Sequence, residues 1–237
     1  MGFSSNDLYT SGEYFSKKPT WDDEDTAWKA GIIQQLIMSN HISLNEVVEV
    51  GCGAGGVLQH LSLLFPSAKS WKGYDISNDA IALAQKKTSN KITFYNEDFA
   101  NLKITGQTDL LLCIDVVEHI DDYYGFLQKL KGRSAHYIFH IPLDLSCRTL
   151  LKPHVMLEQR NTVGHLHYFS KEIIEWALKD TGFTVIDWLY TKPVIDFRPK
   201  KNLKAKIKKV LRNMSFSINK NMSAKLWGGY SMMILAK

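Results

Sequence analysis

The sequence predicts one α/β domain: a doubly wound, largely parallel sheet of seven strands, helices on both faces, and a last strand running antiparallel to the sixth. Three observations carry that reading. Short apolar, β-branched runs alternate with helical patterns along the chain. The first run breaks into a glycine-rich turn and resumes as a helix. The last run, Gly229 to Ala236, reads as a seventh strand that pairs antiparallel to the sixth. With 237 residues and 45% hydrophobic composition, the chain can bury a substantial core without a second domain.

The elements follow in order. A leading segment, Tyr14 to Asn40, opens with aromatic residues (Tyr14, Trp21) and an acidic run, Asp22 to Asp25. It continues as a helical pattern through Trp28, Ile32, Ile33, Leu36 and Ile37. The acidic run is placed to cap this helix, because carboxylates favour the positive end of its dipole. Strands are expected at Val47 to Val50, Ser70 to Tyr74, Ile92 to Tyr95, Leu110 to Ile114, Tyr137 to Ile141 and Phe183 to Leu189. Helices are expected at Val57 to Leu64, Asn78 to Lys86, Tyr123 to Leu130 and Lys171 to Lys179, the last started by Ser170 and ended by Gly182.

The turn Gly51-Cys52-Gly53-Ala54-Gly55-Gly56 lets the backbone bend tightly and approach a ligand, and the following helix aims its N-terminal amides there. Gly51, Gly53 and Gly56 also satisfy the dinucleotide pattern G-x-G-x-x-G, so the glycines alone leave two ligand classes open. Glu49 separates them. A carboxylate inside this strand repels a pyrophosphate and suits a cationic sulfonium or ammonium. Asp75, just after the second strand, sits where either class holds a ribose.

Glu49-Val-Gly-Cys-Gly-Ala-Gly resembles the E/D-x-G-x-G-x-G signature of class I S-adenosylmethionine-dependent methyltransferases, a family with a Rossmann-like sheet and an antiparallel seventh strand. Asn96-Glu97-Asp98-Phe99 resembles that family's adenine-binding turn, and Asp115-Val-Val-Glu-His119 its D-V-x-E-H segment. The closest resemblance is to type 11/12 small-molecule methyltransferases related to the ubiquinone-biosynthesis O-methyltransferases. It covers roughly 14–183 plus the last strand. It implies S-adenosylmethionine held by Glu49, Gly51, Cys52, Gly53, Gly55, Asp75, Ile76, Asp98, Phe99 and Asp115. The leading segment would then lid the cofactor through Tyr14, Trp21 and Trp28, with packing on the sheet as the alternative for Trp28. His119, whose ordinary pKa suits proton transfer, is the candidate catalytic base.

Two further segments exceed the minimal sheet. The long connection Pro142 to Phe169 lies at the carboxyl edge, where open α/β sheets hold ligands. It offers His165, His167 and Tyr168 toward an acceptor. A metal is not expected, since no cysteine or carboxylate cluster in the sequence completes a set with the two histidines. Lys200 to Lys220 carries eight basic residues, no acidic ones, and apolar residues at helical spacing. It reads either as a surface helix contacting anionic membrane or as a helix whose apolar stripe covers the sheet. It also accounts for the net charge of +5.

Three unpaired cysteines exclude a disulfide framework, and no apolar run approaches the ~20 residues of a spanning helix. These features predict a cytoplasmic enzyme, peripheral to the inner face of the membrane if the basic helix engages lipid. The expected activity is methyl transfer to a small-molecule, lipid-linked or sugar-linked acceptor, with oxygen the expected target. Without interleaved aromatics or a recognised module, nucleic acid is not an expected partner. The rivals are a nicotinamide-dependent oxidoreductase and a non-catalytic cofactor-binding scaffold.

Overall fold

A computed structural model describes residues 5–103, 106–196 and 203–237. In chain order the elements are α1 (Ser5–Thr10), α2 (Glu13–Lys17), α3 (Thr26–Ser39), β1 (Glu46–Val50), α4 (Gly56–Leu64), β2 (Ser70–Asp75), α5 (Asn78–Ala84), β3 (Ile92–Asn96), β4 (Thr108–Ile114), α6 (Tyr123–Leu130), β5 (Ser134–Pro142), α7 (Cys147–Leu150), α8 (Pro153–Val163), α9 (Lys171–Asp180), β6 (Val185–Thr191), α10 (Pro193–Asp196), α11 (Leu203–Ile218), α12 (Lys220–Trp227) and β7 (Ser231–Ala236). The strands form one sheet in the order β3-β2-β1-β4-β5-β7-β6. β1 to β5 pair in parallel, while β7 runs antiparallel to β6 and also to β5, between which it is inserted.

Period-two alternation divides the central strands between two cores. On β4, Leu110 and Leu112 face the side covered by Ile33, Leu36 and Ile37 of α3, Leu58 and Leu61 of α4, and Ile81 of α5. Leu111 and Cys113 face the side covered by Leu127 and Leu130 of α6 and Ile174 and Leu178 of α9. A strand buried on both faces has no polar side to alternate with, which is why β1 and β4 read as near-continuous apolar runs.

Several expectations are revised. β6 begins at Val185 rather than Phe183, whose ring packs edge-on against Tyr137 and Phe139 at centroid distances of 4.9 and 5.3 Å. The 142–169 connection is not an open loop but carries α7 and α8. None of the acidic run caps α3 by a side-chain hydrogen bond. Asp25 pairs with Lys29, Asp23 with Lys87, and Asp22 with Lys18 and the Tyr14 hydroxyl.

The basic segment is helical, as expected, over α11, and residues 200–202 lie outside the described residues. Its apolar stripe does not cover the sheet. Ile207, Val210, Leu211 and Met214 are all about half exposed, while Arg212 turns inward and Phe216 stacks on buried Tyr230.

Candidate active site

A cavity of about 1380 Å³ opens at the carboxyl ends of β1, β2 and β4. Ligand pockets commonly hold roughly 300 to 1,000 Å³, so this one has room for a cofactor and an acceptor together. Its floor is the turn after β1. Gly51 and Gly53 both adopt positive φ, at 69° and 52°. A Cβ on Gly53 would lie 2.7 Å from the Trp21 ring, and one on Gly51 would clash with the Val116 side chain. Gly55 differs from the expectation: a Cβ there would meet Phe94 and Ala84, and Gly55 does not line the cavity. It serves the packing of α4 on the sheet.

Two carboxylates face this turn. Asp75 accepts hydrogen bonds from Gly53 N (Oδ2, 2.9 Å) and Ser77 N (Oδ1, 2.8 Å), bracing the glycine turn against the end of β2. Burial raises its pKa against the pull of those amides. Glu49 is only 2% exposed, and its Oε2 has no hydrogen-bond partner. Burial pushes its pKa well above the ordinary carboxylate value, opposed by the charge of Lys29. A buried anion without a partner is costly, so this oxygen is poised for a cationic ligand. Cys52 and Ile76 line the same floor, and burial pushes the Cys52 thiol up.

Asp98 and Phe99 also line the cavity. The Asp98 carboxylate additionally caps the short 3₁₀ turn Phe99–Asn101, accepting from Ala100 N at 3.0 Å. Asp115 sits at φ 55°, a conformation held by its partners: Lys29 Nζ at 2.8 Å and His140 Nδ1 at 2.6 Å. Although burial opposes ionisation, His140 and Lys29 hold its carboxyl well below the usual range. Lys29 also bonds Asp25 at 2.9 Å, which ties the leading helix to the end of β4.

Tyr14 and Trp21 line the cavity as expected and form an aromatic cluster with Tyr9, which sequence reading missed. Trp28 instead packs edge-on against His140 at 6.5 Å and does not line the cavity. Beyond Tyr9, His119 Nδ1 lies 3.1 Å from Gly164 O and 3.1 Å from the Tyr9 hydroxyl. Since Gly164 O can only accept, Nδ1 carries the hydrogen and Nε2 keeps its lone pair. That Nε2 is 3.8 Å from Glu118 Oε1.

Both Glu118 oxygens are buried without a hydrogen-bond partner. Burial, with the charge of Asp115, pushes this carboxyl well above its ordinary value. His119 moves oppositely: burial, with the neighbouring His165, lowers it to about 4. His165 Nδ1 is held by Asp144 Oδ2 at 2.8 Å. One ligating atom from each of Glu118, His119 and His165 lies within 4.8 Å of the others. The fold thus brings Glu118 and His119, neighbours in the sequence, beside His165 of the 142–169 connection.

His167 and Tyr168 are corrections, since neither lines the cavity. His167 Nε2 bonds the carbonyls of Ile120 and Asp121, and the Tyr168 hydroxyl donates to Met156 O. Both stabilise the loop rather than face an acceptor.

Residues 23–187 match the family described as a methyltransferase domain. Among curated proteins, Nodulation protein S of Azorhizobium caulinodans is 26% identical over 45% of this chain and 54% of its own length. Ubiquinone biosynthesis O-methyltransferase of Rickettsia bellii is 28% identical over 40% of this chain and 39% of its own length. The matches thus span about half or less of these relatives. In fold, the chain is similar to magnesium protoporphyrin IX methyltransferase from Synechocystis PCC 6803 with bound SAH (TM-score 0.60, 16% identity, 98% of this chain and 96% of that one). It is also similar to N-methyltransferase NodS from Bradyrhizobium japonicum WM9 (TM-score 0.55, 15% identity, 88% and 84%). With the glycine turn, the acidic stations and the antiparallel β7 in place, the chain belongs to the class I S-adenosylmethionine-dependent methyltransferases.

Proposed function

We propose that this chain transfers a methyl group from S-adenosylmethionine to a hydroxyl oxygen of a small-molecule, lipid-linked or sugar-linked acceptor. The observation that carries the reading is the pair of buried carboxylates with unpartnered oxygens lining one cavity, Glu49 (Oε2) at the glycine turn and Glu118 (both oxygens) beside His119. Glu49 suits the cationic amino acid portion of the cofactor, and Asp75 its ribose hydroxyls. Asp98 and Phe99 suit the adenine.

The cofactor supplies an already activated methyl group, so the protein's part is alignment and proton handling. As the acceptor oxygen forms its bond to the methyl carbon, the carbon–sulfur bond breaks and the sulfonium becomes a neutral thioether. The hydroxyl proton passes to the lone pair of His119 Nε2. Glu118 Oε1, 3.8 Å from that nitrogen, lies where its carboxyl can offset the positive charge this creates.

A divalent cation is a second reading, favoured by one observation. Glu118, His119 and His165 present clustered ligating atoms, and each histidine has its Nδ1 held by another group, as metal-bound imidazoles commonly do. Such an ion would acidify the acceptor hydroxyl in place of the base.

Incubation with methyl-labelled S-adenosylmethionine and panels of phenols, glycosides and polyprenyl-linked sugars tests the reading, and product analysis identifies the methylated atom. Turnover that survives EDTA favours the histidine base. Turnover that EDTA abolishes and a divalent ion restores favours the cation. S-adenosylhomocysteine should raise the melting temperature and NAD should not, because only a ligand of the native state stabilises it. The reverse outcome would restore the oxidoreductase rival, while cofactor binding without transfer to any acceptor would favour the scaffold.

Glu49→Gln should uncouple stability from binding. Glu49 ionises in the unfolded chain above its ordinary value of 4.5 but resists doing so when buried. Its unfavourable contribution therefore grows as pH rises, and the variant should melt progressively higher than wild type as pH climbs above 4.5 while losing S-adenosylhomocysteine affinity. Thermal melts across that range and one calorimetric titration check both; equal melting curves would mean the carboxylate has a partner in solution.

Peripheral contact with anionic membranes through the outward stripe of α11 is also proposed. At low ionic strength the protein should co-sediment with anionic vesicles and be released by salt, since lipid-facing lysines contribute about 1 kcal/mol each and are screened. Retention in the supernatant would overturn it. No helix of the described residues is long and apolar enough to cross a membrane.

A further inference from the structure

Away from the cofactor floor, the same cavity has a wall whose charge the chemistry above does not use. Arg148 of α7, Lys152 at the start of α8, and Lys208, Lys209 and Arg212 of α11 all line it. These residues come from two parts of the chain some 56 residues apart, between Lys152 and Lys208, and meet only in the fold. Among the described residues, no carboxylate lies within ion-pair distance of any of them.

The cavity does contain acids near this wall, but Asp144 is engaged by His165 and Gln159, both at 2.8 Å, and Glu158 is exposed on α8. Arg212 is the telling member. It is 8% exposed, it donates one Nη2 hydrogen bond to Trp227 O at 2.8 Å, and no carboxylate neutralises it. Burial and the nearby charge of Arg148 both act against its ionised form. Two guanidinium groups close enough to repel each other, one of them buried, form an arrangement that an anion would relieve.

We propose that this wall is a subsite for a phosphate or diphosphate group on the acceptor, set apart from the hydroxyl that receives the methyl group. It rests on the methyltransferase reading and narrows its acceptor to a phosphorylated one. Guanidinium forks match phosphate oxygens in geometry, and the lysines add charge that draws the anion into the cavity. The phosphate belongs either to a soluble phosphorylated compound or to the headgroup of a lipid-linked one. Exposed Leu150 and Leu151 beside Arg148 offer an apolar shelf that only the second would use.

The test is calorimetric titration of the full chain, saturated with S-adenosylhomocysteine, with inorganic pyrophosphate and with water-soluble short-chain phosphatidic acid. Wild type should bind pyrophosphate, and Arg148→Gln and Lys208→Glu/Lys209→Glu should each bind it at least ~10-fold more weakly, as expected for lost charge-assisted hydrogen bonds. Both variants change exposed or half-exposed side chains, so they spare the core and S-adenosylhomocysteine affinity should stay at the wild-type value. Phosphatidic acid binding more tightly than pyrophosphate supports the proposal with a lipid-borne phosphate, and equal binding supports it with a soluble one. Wild type failing to bind pyrophosphate at millimolar concentration, or both variants binding it as wild type does, overturns the subsite. Failure of wild type to bind S-adenosylhomocysteine would overturn the methyltransferase reading instead.

Discussion

Asp75→Ala should weaken S-adenosylhomocysteine binding by ~100-fold or more while leaving the far-ultraviolet circular dichroism of the protein unchanged. Asp75 is bonded to Gly53 N and Ser77 N, so its loss removes the brace of the glycine turn together with the proposed ribose acceptors. Each charge-assisted hydrogen bond contributes about 1.5 to 3 kcal/mol, so two of them span this range. Asp75→Asn keeps the volume and one acceptor oxygen and should fall between. Gly53→Val should be as damaging by another route, since φ 52° disfavours a β-branched residue and the new Cβ would press on Trp21 at 2.7 Å. Calorimetric titration measures all three, and wild-type affinity in Asp75→Ala and Gly53→Val would remove the cofactor from this turn.

His119→Ala should lower turnover by ~10² to 10⁴-fold with cofactor affinity nearly unchanged, the range for losing a positioned proton acceptor. A pH signature accompanies it and needs no acceptor. His119 titrates at about 4 when folded against an ordinary 6.5, so between these values the unfolded state binds more protons. Its contribution to stability is therefore complete above 6.5 and is lost as pH falls toward 4. His119→Gln should flatten the acid limb of the stability profile across that window. An unaltered limb, with unaltered turnover, would reassign His119 to packing.

The glycine turn, Asp75, Asp98 and the D-V-V-E-H segment were legible because each lies at a strand end, where β-branched runs stop abruptly. The strand order was not. The place of β7 between β5 and β6 depends on packing that no local pattern records. Lys29, His140 and Tyr9 escaped for a related reason. Lys29 looks like any solvated helix lysine and His140 like an interruption in an apolar strand until Asp115 joins them. Tyr9 meets His119 across 110 residues of sequence. His167 and Tyr168 misled because a polar loop offers many donors, and only the folded backbone shows which carbonyls take them up. The outward stripe of α11 was indistinguishable from a core stripe, since helical spacing gives the face but not its neighbour.

The insertion of β7 also sets an order of events during synthesis. β6 has no partner in the sheet except β7, so the polypeptide through Thr191 can assemble β1 to β5 but leaves one edge of β5 open. Until Ser231–Ala236 emerge, an apolar strand edge and the unattached β6 coexist on the same nascent molecule, a configuration prone to pairing with other chains.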